Sequence, residues 1–219
     1  MNIALLGYGK MGRMIEELAI QNGHQIVALT NRKNPIEKIN FSNVDVAIEF
    51  STPSLAIKHI KKAFQHNIPV VCGTTGWPKE MIDLENLTKE NNTAFLYASN
   101  FSIGMNIFFE LNKKLYQLMK EHSQYKVNIK EIHHTEKLDT PSGTALTLQS
   151  DLDPQTAIIS ERKANVVGTH IINYNSQIDR ISITHESHHR KGFAQGAILA
   201  AEWIIDKKGC FSMKDLLKI

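Results

Sequence analysis

Apolar residues in the first hundred positions fall into short runs, at 3–6, 25–29, 44–50, 69–72 and 94–97. Runs of this length bounded by polar residues read as strands. Between most of them, at 11–21, 54–66 and 79–91, apolar positions recur three and four apart, the period of an amphipathic helix. Strands alternating with helices over short connections predict a parallel sheet covered on both faces. The pattern then changes. Residues 106–121 predict one long amphipathic helix with Leu111, Leu115 and Leu118 on a stripe. Extended segments follow at 125–134, 164–174 and 180–186, and the chain closes in helical sequence at 195–207 and 213–217. Strands following strands predict a mixed or antiparallel sheet. The reading is therefore α/β in two parts. A parallel-sheet domain spans 1–100, with 195–219 packing back on it, and an α+β domain spans 101–194.

The 219 residues are 42% hydrophobic and 21% charged, ordinary values for a globular chain with a core that needs no staples. The two cysteines, Cys72 and Cys210, read as free thiols in a reducing compartment. No basic leader precedes the first strand and no apolar run reaches membrane-spanning length, so a cytoplasmic location is expected and a membrane is not. Net charge is +3 with lysines dispersed. The one dense basic stretch, His185 to Lys191, is weaker than a nucleic-acid stripe and suits a small anionic ligand.

Gly7-Tyr8-Gly9-Lys10-Met11-Gly12 follows the first strand and opens a helix. That context makes it a dinucleotide fingerprint. Gly7 permits a tight turn, Gly9 lets the backbone approach a pyrophosphate, and Gly12 allows close helix–strand packing. An acidic residue after the second strand would bind the ribose of NAD. The sequence there is Thr30-Asn31-Arg32-Lys33, without a carboxylate. Arg32 and Lys33 either meet the 2′-phosphate of NADP or form a solvated loop pair. NADPH is the expected cofactor, with NADH possible. Phe50-Ser51-Thr52 and Gly73-Thr74-Thr75-Gly76 end the third and fourth strands. Both are placed to line the same ligand, or are ordinary connections.

The second concentration of chemistry is residues 131–145. Neighbours on a strand face opposite ways, so His133 and His134 do not share a pocket, which argues against a paired-histidine metal site; no metal is expected. A histidine suits proton transfer at neutral pH, and Lys137 suits an anionic substrate or developing negative charge. Pro141 reads as the first residue of a helix capped by Thr140, so that Ser142, Gly143 and Thr144 offer free N–H groups to a carboxylate. A small substrate with two carboxylates fits.

Glu131-Ile132-His133-His134-x-x-Lys137-x-Asp139-x-Pro141-Ser142-Gly143-Thr144-Ala145 resembles the signature of the dihydrodipicolinate reductase family. The glycine turn, Glu49-Phe50-Ser51, Gly73-Thr74-Thr75-Gly76, Ser99-Asn100-Phe101, Val167-Gly168-Thr169-His170 and Arg190 agree in order, so the resemblance covers essentially the whole chain. It implies a Rossmann-like cofactor domain, a substrate domain that builds a homotetramer through its sheet, and NAD(P)H as hydride donor. By position it implies His133 as general acid/base and Lys137 as a second catalytic group, with His134, Gly143 and Thr144 on the substrate carboxylates. Gly7 to Gly12, Gly73 to Thr75 and Ser99 to Phe101 would line the cofactor. The chain departs from the family in being short, compressed at 148–153, and without the acid after the second strand. Two competitors are weaker. A sugar or inositol dehydrogenase would carry Glu-Lys-Pro, where Leu138 stands here, and a non-catalytic NADP sensor would not need His133 and Lys137.

Overall fold

The computed structural model describes residues 1–78 and 83–219. Its contacts divide the chain into Met1–Ile103 with Lys191–Ile219, and Gly104–Arg190.

The first unit contains β1 (Asn2–Leu6), α1 (Lys10–Gln21), β2 (Gln25–Thr30), β3 (Val46–Glu49), α2 (Pro53–Phe64), β4 (Val70–Cys72), α3 (Leu84–Glu90) and β5 (Ala94–Tyr97), and near the chain's end β10 (Gly209–Phe211). All its strands pair in parallel, in the order β10-β5-β4-β3-β1-β2. The chain leaves β1 toward β2 on one side and resumes with β3 on the other, which creates a switch point at the strand ends. Alternation sends Ile3, Leu5, Val46 and Ile48 to one face, where they pack on Ile15 and Leu18 of α1. Ala4, Leu6, Ala47 and Val70 go to the other face and pack on Ala56, Ile60 and Phe64 of α2. Burial on both faces is why these strands read as unbroken apolar runs. The expected helix at 79–91 begins outside the described residues; α3 starts after Asp83, whose carboxylate accepts the Asn86 N–H at 3.0 Å.

Two closing helices also lie in this unit. Helix α6 (Lys191–Ile204) buries Ala194, Ala197, Ala200, Ala201 and Ile204 in the first core, and α7 is Met213–Leu217. Between them runs β10, parallel to β5. Three residues with one large hydrophobic side chain give no alternation to read, so the sequence did not disclose this edge strand.

The second unit holds most of α4 (Ile103–Met119), and β6 (Lys126–His133), α5 (Gly143–Ser150), β7 (Ala157–Arg162), β8 (Gly168–Asn175) and β9 (Arg180–Ser187). The sheet order is β7-β6-β8-β9, with β6 and β7 parallel and the other pairs antiparallel. Strand β7 was not expected. Met105, Phe108 and Met119 of α4 pack on Ile129, Leu148, Ile172 and Tyr174. The expected Leu stripe on α4 is corrected in part. Leu115 packs on this core, but Leu111 and Leu118 are exposed, and the buried line runs through Met105, Phe108, Asn112 and Met119. A helical period accommodates either line; the bulk of Phe108 and the Asn112 hydrogen bond to the Leu148 carbonyl, at 3.0 Å, set the rotation. Among the described residues no helix is long and apolar enough to cross a membrane.

Candidate active site

The glycine turn of the first unit is built by packing. Gly7 has φ +114°, and a Cβ there would stand 2.2 Å from the Phe50 carbonyl oxygen. A Cβ on Gly12 would stand 2.4 Å from the Gly7 carbonyl oxygen. A Cβ on Gly9, the N-cap of α1, would meet nothing within 4 Å, which leaves the helix start open to a ligand. The Gly7 N–H donates to Thr30 Oγ1 at 2.7 Å, which ties the turn to the end of β2.

This turn borders a cavity of about 750 Å³, within the range of roughly 300–1,000 Å³ common for small-molecule sites. Gly7, Tyr8 and Gly9 line one side, Thr30 to Lys33 a second, and Phe50 to Thr52 a third. Arg32, Phe50 and Ser51 are thus brought to the turn. So are Arg13, Lys58 and His59, which sequence reasoning missed because their positions within helices carry no signal of direction. Arg13, Arg32, Lys33 and Lys58 outnumber one acid, Glu37, which pairs with Lys58. The second strand's end supplies no carboxylate: Asn31 Oδ1 accepts the Lys33 and Asn34 N–H groups at 2.8 and 2.9 Å.

The remaining expected cofactor residues do not line the cavity. Lys10 is exposed, while Met11 packs against the core. Thr74 is buried and accepts the Ser51 N–H at 2.8 Å, joining the loops after β3 and β4; Gly73 adjoins the Phe50 ring, and Thr75 is exposed. Phe101 is buried with its ring 5.6 Å from that of Phe50, beside exposed Ser99 and half-buried Asn100.

In the second unit, alternation puts Ile129, Glu131 and His133 of β6 on one face, and His170, Ile172 and Tyr174 of β8 beside them. The face is apolar at one end and polar at the other. Glu131 is fully buried. It accepts the Ser142 N–H at 3.1 and 3.3 Å and the Ser160 hydroxyl at 2.7 Å. Burial alone would push its carboxyl up; these donors and His133 outweigh it and hold it below the usual carboxylate range. Burial lowers the proton affinity of His133, with Lys137 and Arg162 acting the same way against Glu131. His170, edge-on to His133 at 5.1 Å, is pushed down to about 4, first by burial and then by His133.

His134 lies beyond the strand, its Nε2 3.3 Å from Arg190, a partner the sequence alone did not assign to it. Lys137 Nζ meets both oxygens of Asp139, at 2.7 and 2.9 Å. The Lys137 ammonium, ahead of Asp139's own backbone N–H, holds the Asp139 carboxyl below its ordinary range. The expected start of α5 is corrected here. Thr140 is not the cap and Pro141 is not in the helix: Ser142 caps α5, its hydroxyl accepting the Ala145 N–H at 3.1 Å. The Ser142 N–H is engaged by Glu131, so Gly143 and Thr144 are the positions at that helix start not claimed by Glu131. Arg162 braces the loop by donating to the Asp139 carbonyl at 2.7 Å and to Thr140 Oγ1. Glu131, His133 and His170 offer three donors within 4.8 Å of one another, a spacing that suits a metal ion, although the neighbouring Lys137 and Arg162 charges oppose a cation there.

Residues 1–101 match the family model described as dihydrodipicolinate reductase, N-terminus, and residues 104–217 the one described as dihydrodipicolinate reductase, C-terminus. A 4-hydroxy-tetrahydrodipicolinate reductase of Christiangramia forsetii is 46% identical, over 99% of this chain and 98% of that protein. One of Thermosipho africanus is 35% identical, over 100% and 98%. In structure the chain is similar to a dipicolinate-bound dihydrodipicolinate reductase of a Paenisporosarcina species, with a TM-score of 0.78, 21% identity and 97% of each chain covered. A probable dehydrogenase of Thermotoga maritima shares the fold at a TM-score of 0.58, 13% identity, and 99% and 92% coverage.

Proposed function

This chain belongs to the dihydrodipicolinate reductase family, and we propose that it reduces 4-hydroxy-tetrahydrodipicolinate to tetrahydrodipicolinate, with loss of water, in lysine and diaminopimelate biosynthesis. The observation that carries this reading is the grouping in one unit of His133, Lys137 and the open start of α5, the parts needed to hold a dicarboxylate and deliver a proton. Its residues fit a nicotinamide dinucleotide: an open Gly9, a helix start for the pyrophosphate and a cation-rich cavity at the end of β2. When bound, that cofactor supplies the hydride.

The chain's own residues do the rest. His133 is the general acid/base. Lys137 is the second catalytic group and neutralises substrate charge, while the Gly143 and Thr144 N–H groups bind a carboxylate. His134, beside Arg190, completes the anionic end of the site. The Asp139 carboxylate already rests on Lys137, which supports reading that spot as a carboxylate site that substrate takes over. Arg32, with Lys33, Arg13 and Lys58 around it, favours the 2′-phosphate of NADPH over NADH. The protein acts in the cytoplasm as a homotetramer joined through the second sheet, whose exposed Ile159, on the face away from Ile129 and Ile172, supports such pairing. The test is oxidation of NADPH and of NADH, in parallel, with substrate made in place by the preceding synthase. Turnover with NADPH preferred is expected; tight NADPH binding without turnover would favour a sensor instead.

A further inference from the structure

Glu131 takes no part in the roles above, yet it is the most thoroughly buried charge of its unit. Removing a carboxylate from water without partners costs several kcal/mol, roughly 2–7 for even a neutral polar group, so its environment must be built for it. It is. Oε1 accepts the Ser160 hydroxyl on β7 and lies 4.0 Å from Arg162, and both oxygens meet the Ser142 N–H at the start of α5. Oε2 faces two rings, with His133 Nδ1 at 3.4 Å and His170 Nε2 at 3.8 Å. The His133 Nδ1 atom is buried and makes no hydrogen bond. A charge-assisted N–H···O bond closes to about 2.7–2.9 Å, so a small ring rotation completes it. The opposite ring edge is treated differently. A Cβ on Gly168 would stand 3.2 Å from His133 Nε2, and glycine there leaves that edge free of a side chain.

We propose that Glu131 is the positioning residue of this site: its Oε2 receives the Nδ1 proton of His133, so that the proton exchanged with substrate is the one on Nε2, while its other oxygen bonds hold the start of α5 in register with the ring. The inference rests on the reading of His133 as the proton-carrying group. Loss of the Nε2 proton leaves a neutral ring whose remaining N–H points at Glu131, and regaining it restores an imidazolium beside a carboxylate. Charge balances throughout, because Glu131 stays ionised. The groups facing His133 are Glu131 on its own strand, Arg162 on β7, His170 on β8, and Lys137 and Asp139 in the following loop. Among these Glu131 is the foremost group that raises the proton affinity of His133 against burial, Lys137 and Arg162. His170, the second claimant on Oε2, stays neutral at physiological pH because burial depresses it to about 4.

The test is an NMR titration of the full chain, with the His133 ring signal assigned by its loss in His133→Gln. Glutamine at 131 keeps the shape and an acceptor for Ser142 but removes the charge. In Glu131→Gln the His133 midpoint is expected to fall by about one pH unit, a tenfold loss of proton affinity. The high-pH limb of kcat should move down with it, and NADPH binding should stay at the wild-type level. Glu131→Asp should recover part of the shift. An unshifted His133 midpoint in a variant that still binds NADPH would overturn the proposal, as would lower activity with an unmoved pH profile, the mark of a merely structural residue. Should Glu131→Gln fail to fold, Ser160→Ala serves: it strips one donor from the carboxylate and should raise the His133 midpoint, while no rise would overturn the proposal. Full activity in His133→Gln would sink the acid/base reading alone, since the midpoint measurement does not depend on turnover.

Discussion

The two sheets obey one alternation rule and reach opposite arrangements. In β1, β3 and β4 both faces meet helices, so nearly every strand side chain is apolar and goes into a core. Function is left to the backbone at the strand ends, to the turn at Gly7 and the loops after Phe50 and Cys72. In β6 and β8 the inward face is apolar only as far as Ile129 and Ile172 and then turns polar, with Glu131, His133 and His170 inside the unit. Here side chains carry the chemistry, and each buried polar group needs a partner. A site made of backbone tolerates changes in side-chain identity but not an added Cβ. A site made of buried charges tolerates changes in bulk less critically than the loss of one partner.

The comparison is most sharply tested by removing side chains from the second unit. Lys137→Ala and His133→Gln are each expected to lower kcat by about 10²–10⁴ and leave NADPH affinity nearly unchanged. Comparable losses of cofactor affinity and rate would break the division of labour. The converse change belongs to the turn. Gly7→Ala adds a Cβ where φ is +114° and a carbonyl oxygen is 2.2 Å away, and should destabilise the fold by about 3 kcal/mol or more and weaken NADPH binding. Thermal unfolding and cofactor titration measure it; an unchanged melting temperature would mean that the turn is not held by packing.

A third expectation concerns pH. His170 has a folded pKa near 4, below its unfolded value of about 6.5. Between those values the unfolded chain binds the extra proton, so the contribution is complete above pH 6.5 and is lost as pH falls toward 4, by about 3 kcal/mol in all. His170→Asn should flatten that part of the stability–pH curve, and an unchanged slope between pH 6.5 and 4 would assign it elsewhere. The smallest effect is expected at the cavity rim. Arg32→Ala should weaken NADPH about tenfold and NADH little, as loss of a charged hydrogen bond to phosphate predicts. Equal changes in the two Michaelis constants would make Arg32 a solvated loop residue.

Much of this was legible in the order of residues. The apolar runs of β1 to β5 announced a sheet covered on both sides, and Gly7, Gly9 and Gly12 marked the turn because their spacing is local. His133 and Lys137 stood out because chemistry-bearing residues crowd within a few positions. What was not legible needed neighbours distant in sequence. Strand β7 has only Ile158 and Ile159 as strong apolar residues, and its strand state comes from pairing with β6. Arg13 and Lys58 sit on helices whose rotation sets where they point. The cap of α5 lies two residues beyond its expected place because Thr140 and Ser142 have equal capping chemistry; the Glu131 carboxylate on the Ser142 N–H favours the second.

The sequence by itself determined the fold class, the glycine turn and the reaction family, because periodicity and local motifs are carried by residues close along the chain. Tertiary structure decided the partnerships: Glu131 with His133, His170, Ser142 and Ser160, Lys137 with Asp139, and Arg190 with His134. Apart from Glu131–His133 and Lys137–Asp139, which are two residues apart, these join residues on different strands and loops, and the stability of a buried charge depends on who stands beside it rather than on what precedes it.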